Sequence, residues 1–194
     1  MSRIPLDPPR SLVYRLAEWY SRRVYGVVAD PLAAMGHHPR VLLTDARFET
    51  SVARWKRLDP TLKALAVMAS AATIGCSWCM DFGYWESSRQ GIDPAKLREL
   101  PRWRASAVYT DLERDVLAYA EAISATPPSV TDEMVAGLRG HLDDAELVEL
   151  TMMVGVENLR SRVNSALGLS SQGFTDRCEI PGRAAATAGG IAAS

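Results

Sequence analysis

Leu58-Asp59-Pro60-Thr61-Leu62-Lys63-Ala64-Leu65 opens, and Gly75-Cys76-Ser77-Trp78-Cys79-Met80-Asp81 closes, the stretch that decides the architecture of this chain. Aspartate followed by proline marks a helix start. The carboxylate accepts hydrogen bonds from the first turn, and proline at the first helical position lacks a donor that would be orphaned there anyway. The run from Ala64 to Met80 is the most apolar in the chain. Ser70, Thr73, Gly75 and Ser77 interrupt it, so it reads as a buried helix rather than a membrane span. Gly75 breaks this helix, and Cys76 then opens a new one, where free N–H groups and the helix dipole stabilise a thiolate. Cys76 and Cys79 sit one helical turn apart with their sulfurs in reach of each other. This C-x-x-C spacing serves a redox dithiol or half of a metal site.

Working outward, the same start signal recurs at Asp30-Pro31 and Asp93-Pro94, where each aspartate is expected to act as the cap. Residues 1–10, with Pro5, Pro8 and Pro9, read as an extended arm. Ser11 caps a first amphipathic helix carrying Leu12, Leu16, Tyr20, Val24 and Val27. A further helix is expected over much of Val41 to Lys56, and Pro101 to Tyr109 reads as a loop. Thr110 with Glu113, and Asp143 with Glu146, have the capping-box spacing. The first opens a helix to about Ser124, and the second opens the longest helix, to about Leu167, with Gly168 as its stop. Another helix is expected from Thr131 to Gly140. No alternating strand pattern occurs, so the expected fold is all-α, with a main domain over residues 11–182 and a disordered Ala/Gly-rich tail over 183–194. An internal echo supports a bundle: Leu58-Asp59-Pro60 resembles Leu142-Asp143-Asp144. With a one-residue slip, Ala64 then matches Glu149 and the C-x-x-C matches Ser161 to Asn164.

The 194 residues are ample for one core, and a net charge of -1 gives no electrostatic case for nucleic acid or an anionic membrane. Three cysteines do not make a secreted disulfide framework, and Met1 to Pro5 contain no apolar signal core, so a cytoplasmic location is expected. A zinc site would have to draw on Cys178, His37, His38 or His141, with no second C-x-x-C to help, so no metal is expected.

Leu58 to Gly91, read as L-D-P-x-x-x-x-L followed by G-C-x-x-C, resembles the alkyl hydroperoxidase D and carboxymuconolactone decarboxylase-like family. The second half is similar to its larger members in Tyr109-Thr110-Asp111, Glu149-Leu150-Thr151, Glu157-Asn158, Arg160-Ser161-Arg162 with Asn164, and Gln172-Gly173-Phe174. The resemblance covers roughly Leu12 to Pro181. It implies an alkyl hydroperoxidase D-like helical bundle, a homo-oligomer, no organic cofactor, and thiol chemistry at Cys76 and Cys79. The substrate would be a hydroperoxide or other small molecule, with a thiol electron donor the sequence does not identify. In that family the second cysteine meets the peroxide and the first resolves it, which would make Cys79 the attacking thiolate. Position at the helix start favours Cys76 instead, and the order stays open.

The resemblance also implies a proton relay from a Glu three turns before the first cysteine and a His four residues after the second. Ala64 and Gly83 stand there, so both relay groups are missing. Asp81 and Glu157 are the candidate replacements, and Trp78, Tyr84 and Trp85 are candidate pocket residues. Alternatives on the same fold are a decarboxylase or lyase, and a non-catalytic oligomeric binding protein that has lost its relay.

Overall fold

The computed structural model describes residues 2–177, and these contain helices and loops with no strand. In order the helices are α1 (Leu12–Tyr25), α2 (Asp30–Met35), α3 (Pro39–Val52), α4 (Pro60–Ile74), α5 (Ser77–Arg89), α6 (Pro94–Glu99), α7 (Asp111–Ser124), α8 (Asp132–Arg139) and α9 (Asp144–Ala166). The fold is all-α, as the periodicity requires. Cys178 and the Ala/Gly-rich tail lie outside the described residues.

Helix α4 is the axis of the bundle. Leu65, Ala66, Met68 and Ala71 are fully buried, because α5, α7 and α9 surround it. Its partners supply Val116 and Leu117 from α7 and Leu150 and Val154 from α9, and Leu138 of α8 closes the cluster. Each such side chain contributes about 1.5–3 kcal/mol by leaving water. Leu65→Ala would cost about 2–5 kcal/mol, since little around a central helix can collapse into the hole.

The sequence echo is a spatial one. Asp59 caps α4 through the N–H groups of Thr61 and Leu62, and Asp143 caps α9 through that of Glu146. The two helices pack together, tied by an ion pair between the echoed neighbours Lys63 and Glu149. Both capping boxes form, at Thr110/Glu113 and Asp143/Glu146.

Three local expectations need correction. Asp30 is the first residue of α2 rather than its cap: Ala29 holds that position, and the Asp30 N–H is taken by Gln172 Oε1 at 3.0 Å. A partner 142 residues away has replaced the local carboxylate. His37 and His38 lie exposed in the turn between α2 and α3, where His37 Nε2 meets Pro5 O at 2.8 Å and His38 Nδ1 accepts from Val41 N–H and caps α3. Helix α3 therefore starts two residues early, and it ends at Val52 rather than near Lys56. The first part of the expected Pro101–Tyr109 loop lies in a 3-10 helix, Leu100–Ala105, that follows α6 and buries Trp103, whose indole donates to Glu121.

Residues 2–10 are non-helical and docked against the bundle. The guanidinium of Arg3 donates to Ser165 O and Ala166 O, and its backbone N–H donates to Leu167 O. These carbonyls belong to the last turn of α9 and its cap, and Ser165 O also accepts from Gly168 N–H. Ile4 and Leu6 then pack beside the cluster that holds the cysteines.

Candidate active site

Gly75 ends α4 at φ +80°, a left-handed conformation that glycine adopts without strain. The chain turns there, and Cys76 becomes the N-cap of α5, its sulfur accepting the Cys79 N–H at 3.2 Å. The two cysteines are joined as a disulfide with Cα atoms 5.3 Å apart. Cys76 is 1% exposed and Cys79 7%, so Cys79 is the less deeply buried residue of the pair.

The disulfide lies in an aromatic and aliphatic cluster. Trp78 stacks on Phe82 at 5.0 Å, and Phe82, Trp85 and Phe174 pack edge-on or tilted around them. The indole of Trp78 donates to Gln172 Oε1. Tyr84 points elsewhere: it packs with Ala64, Ile92 and Leu97, away from the cysteine cluster.

The structure explains the two missing relay groups. Ala64 is buried in that same small, largely apolar cluster, where a carboxylate would be desolvated. Gly83 is where α5 crosses α4: a Cβ there would lie 2.6 Å from Met68 Sδ. No side chain fits at that crossing unless Met68 moves.

Asp81 has a structural assignment. Its carboxylate accepts from the backbone N–H groups of Gln172, Phe174 and Thr175 at 2.7–3.0 Å, and from Thr175 Oγ1 at 2.7 Å. Burial raises its pKa, but these four donors outweigh burial and pull it down to about 2. A carboxylate with all its lone pairs engaged and so low a pKa is a poor proton acceptor near neutrality. It holds the 172–175 segment on α5.

Glu157 has the opposite environment. It is 3% exposed, and burial pushes its pKa up to about 7, against the opposing pull of Arg160 and Ser161. Ser161 Oγ donates to its Oε1 at 2.7 Å, while Arg160 reaches Oε2 only at 3.5 Å. The guanidinium is mainly engaged with Glu49 of α3, through a forked pair. Burial alone would lower the pKa of Arg160, but its hydrogen bonds and charge contacts with Glu49 and Glu157 reverse this and raise it.

Sequence reasoning missed one residue of this site. Asn164 is buried, and its Nδ2 lies 3.4 Å from Cys79 Sγ, within hydrogen-bonding reach. The echo that aligns Ser161–Asn164 with the C-x-x-C carried a signal for it, because echoed residues meet where the two halves pack. Glu157, Ser161 and Asn164 are spaced four and three residues apart, so they lie on one face of α9 over about 10 Å. That face carries a buried polar line from the raised carboxylate to the sulfur. Among the described residues, no cluster of three or more His, Cys, Asp or Glu side chains is placed to hold a metal ion.

Residues 39–122 match the model of the carboxymuconolactone decarboxylase family. Over 178 residues the chain is 35% identical to the uncharacterized protein YnjA of Escherichia coli K12, spanning 90% of this chain and 96% of that one. The chain belongs to the carboxymuconolactone decarboxylase family. Family membership and fold agree. The debrominase Bmp8 superposes with a TM-score of 0.77 at 18% identity, covering 90% of this chain and 96% of Bmp8. An uncharacterized peroxidase-related protein of Ralstonia eutropha JMP134, an alkylhydroperoxidase AhpD core, superposes with a TM-score of 0.78 at 15% identity, covering 90% of this chain and 94% of that one. These two share the helical fold with the chain. Among the described residues, no helix is long and apolar enough to cross a membrane.

Proposed function

We propose that the protein is a thiol-dependent oxidoreductase that reduces a hydroperoxide, or another two-electron oxidant, at the Cys76/Cys79 dithiol. The observation that carries this reading is the Cys76–Cys79 disulfide at the start of α5, with a buried amide donor on Cys79 and a buried carboxylate of raised pKa on the same face of α9.

Cys79 is assigned as the attacking thiolate, because it is the less deeply buried residue and has Asn164 as donor. It attacks the terminal peroxide oxygen. The O–O bond breaks, the alkoxide takes a proton and leaves as alcohol, and Cys79 becomes a sulfenic acid. The Cys76 sulfur then attacks that sulfur, and the Cys76 thiol proton passes to the departing hydroxide, which leaves as water as the disulfide forms. An external dithiol returns two electrons by thiol–disulfide exchange. Glu157 is assigned as the proton reservoir, since a pKa of about 7 lets it both accept the thiol proton and donate to a leaving oxygen. Ser161 Oγ holds its Oε1 on the face of α9 that also carries Asn164. Asp81 takes no proton in this scheme.

The test is one equivalent of an organic hydroperoxide added to the reduced protein, with disulfides located by peptide mass spectrometry. Rapid formation of a Cys76–Cys79 disulfide is expected. Cys79→Ser should leave Cys76 reduced, whereas Cys76→Ser should trap Cys79 as sulfenic acid. Thiols that stay reduced would overturn the proposal and favour a lyase or binding role on the same fold.

A further inference from the structure

Arg160 has two carboxylates within reach and holds them unequally. Two of its nitrogens cross to Glu49 of α3, Nε donating to Oε1 at 2.8 Å and Nη2 to Oε2. That leaves Nη1 for Glu157, three residues back on the same helix, and it stops 3.5 Å from Oε2. A Glu and an Arg three apart on a helix are free to pair closely, and a buried carboxylate is the one that most needs the pairing. The sequence supplies the pair, and the tertiary structure keeps it open.

The cause is geometric. A guanidinium is planar, so binding one edge of it fixes where the third nitrogen points. Glu49 does not follow Arg160 towards Glu157, because its helix is anchored beside it: Val52 of α3 packs with Met153 and Val156 of α9, and Phe48 packs against them. The Arg160 and Glu49 side chains keep 30 and 33% of their surface, so the forked pair is reached by solvent while Glu157 lies beneath it. The remaining charges are secondary. Asp45 of α3, Glu86 of α5 and the Tyr25 hydroxyl of α1 each feel the Arg160 charge, and Arg89 acts on Glu86. Lys63, the charged side chain of α4, is at the other end of α9 on Glu149. One guanidinium therefore serves several acids, and Glu49 has the best hold on it.

We propose that Glu49 is a positioning residue for the site: with both oxygens it holds the Arg160 guanidinium off Glu157, and so sets the proton affinity of that buried acid. Its bearing on thiol chemistry rests on the assignment of Glu157 as the proton reservoir. With Glu49 in place, Glu157 titrates at about 7. Released from Glu49, Arg160 closes onto Glu157, and a close opposite charge lowers a carboxyl pKa by about 1–3 pH units.

The test is a carbon NMR titration of the glutamate carboxyls in the oxidised protein, with Glu157→Gln identifying the Glu157 signal. Glu49→Gln offers Arg160 one oxygen instead of a fork, and is expected to lower the Glu157 midpoint by about 1 pH unit or more. After reduction, the inflection in the thiol alkylation rate should move down with it. Loss of the Glu49 charge also lowers the midpoint directly, so a double-mutant cycle separates the two effects. In an Arg160→Gln background there is no guanidinium to release, and adding Glu49→Gln should leave the midpoint where Arg160→Gln alone puts it. Glu49→Asp keeps the charge but shortens the reach, and should fall between wild type and Glu49→Gln. A midpoint unmoved by Glu49→Gln, an equal movement with and without Arg160, or a wild-type midpoint in Glu49→Asp would each overturn the proposal. A midpoint that moves while the alkylation profile stays put upholds the hold of Glu49 on Arg160, and removes instead Glu157 as the proton reservoir.

Discussion

Glu157→Gln tests the electrostatics of the site without touching a cysteine. The substitution keeps size and hydrogen-bonding capacity and removes the charge that burial penalises. The folded-state pKa of about 7 lies above the ordinary value of 4.5, with desolvation as the main cause. A shift of that size is worth about 3 kcal/mol at 1.36 kcal/mol per pH unit. The sign follows from proton binding. Below about pH 4.5 the carboxyl is neutral in both folded and unfolded chains, and its contribution is fully retained. Between about 4.5 and 7 the folded state binds more protons than the unfolded state, so stability falls as pH rises. Above 7 the full penalty applies. Urea denaturation of wild type and Glu157→Gln at pH 5 and pH 8, disulfide intact, reads this directly. The glutamine variant should gain about 2–3 kcal/mol relative to wild type between the two pH values. Its thiol alkylation rate, measured after reduction, should lose the inflection near pH 7 that a neighbouring carboxylate imposes. Parallel stability curves would refute the raised pKa and remove Glu157 as the proton reservoir.

Asp81→Asn should destabilise the oxidised protein by about 2–4 kcal/mol, because an amide cannot accept from all four donors and charged hydrogen bonds are worth about 1.5–3 kcal/mol each. With a folded pKa near 2, below the ordinary 3.8, this stability is present above about pH 4 and is lost as pH falls through 2; denaturation at pH 7 and pH 2 should show the gap between wild type and variant closing. Gly83→His, which restores the relay residue of the hydroperoxidase members, should lower stability by about 1–3 kcal/mol through overpacking against Met68 and leave peroxide reduction no faster, as thermal unfolding and a turnover assay would show.

Helix existence and most helix starts are local properties, and the sequence by itself determined them. Asp59-Pro60, Thr110/Glu113 and Asp143/Glu146 act within four residues of themselves, and Gly75 sets its own left-handed turn. The C-x-x-C also needed nothing distant to place Cys76 at a helix start. What failed locally failed for tertiary reasons. Asp30 sits one position inside the cap, which Ala29 holds, and its N–H is taken by Gln172 from a loop 142 residues away. Only packing decided the division of labour between the two carboxylates. Asp81 and Glu157 are both buried acids, yet one meets four donors on a returning loop and the other meets a hydroxyl and a distant arginine. A pKa depends on what surrounds a charge in three dimensions, and so does the approach of Asn164 to Cys79 across 85 residues of sequence. The identity of each group was written in the chain; its proton affinity and its neighbours were set when α5 and α9 came together.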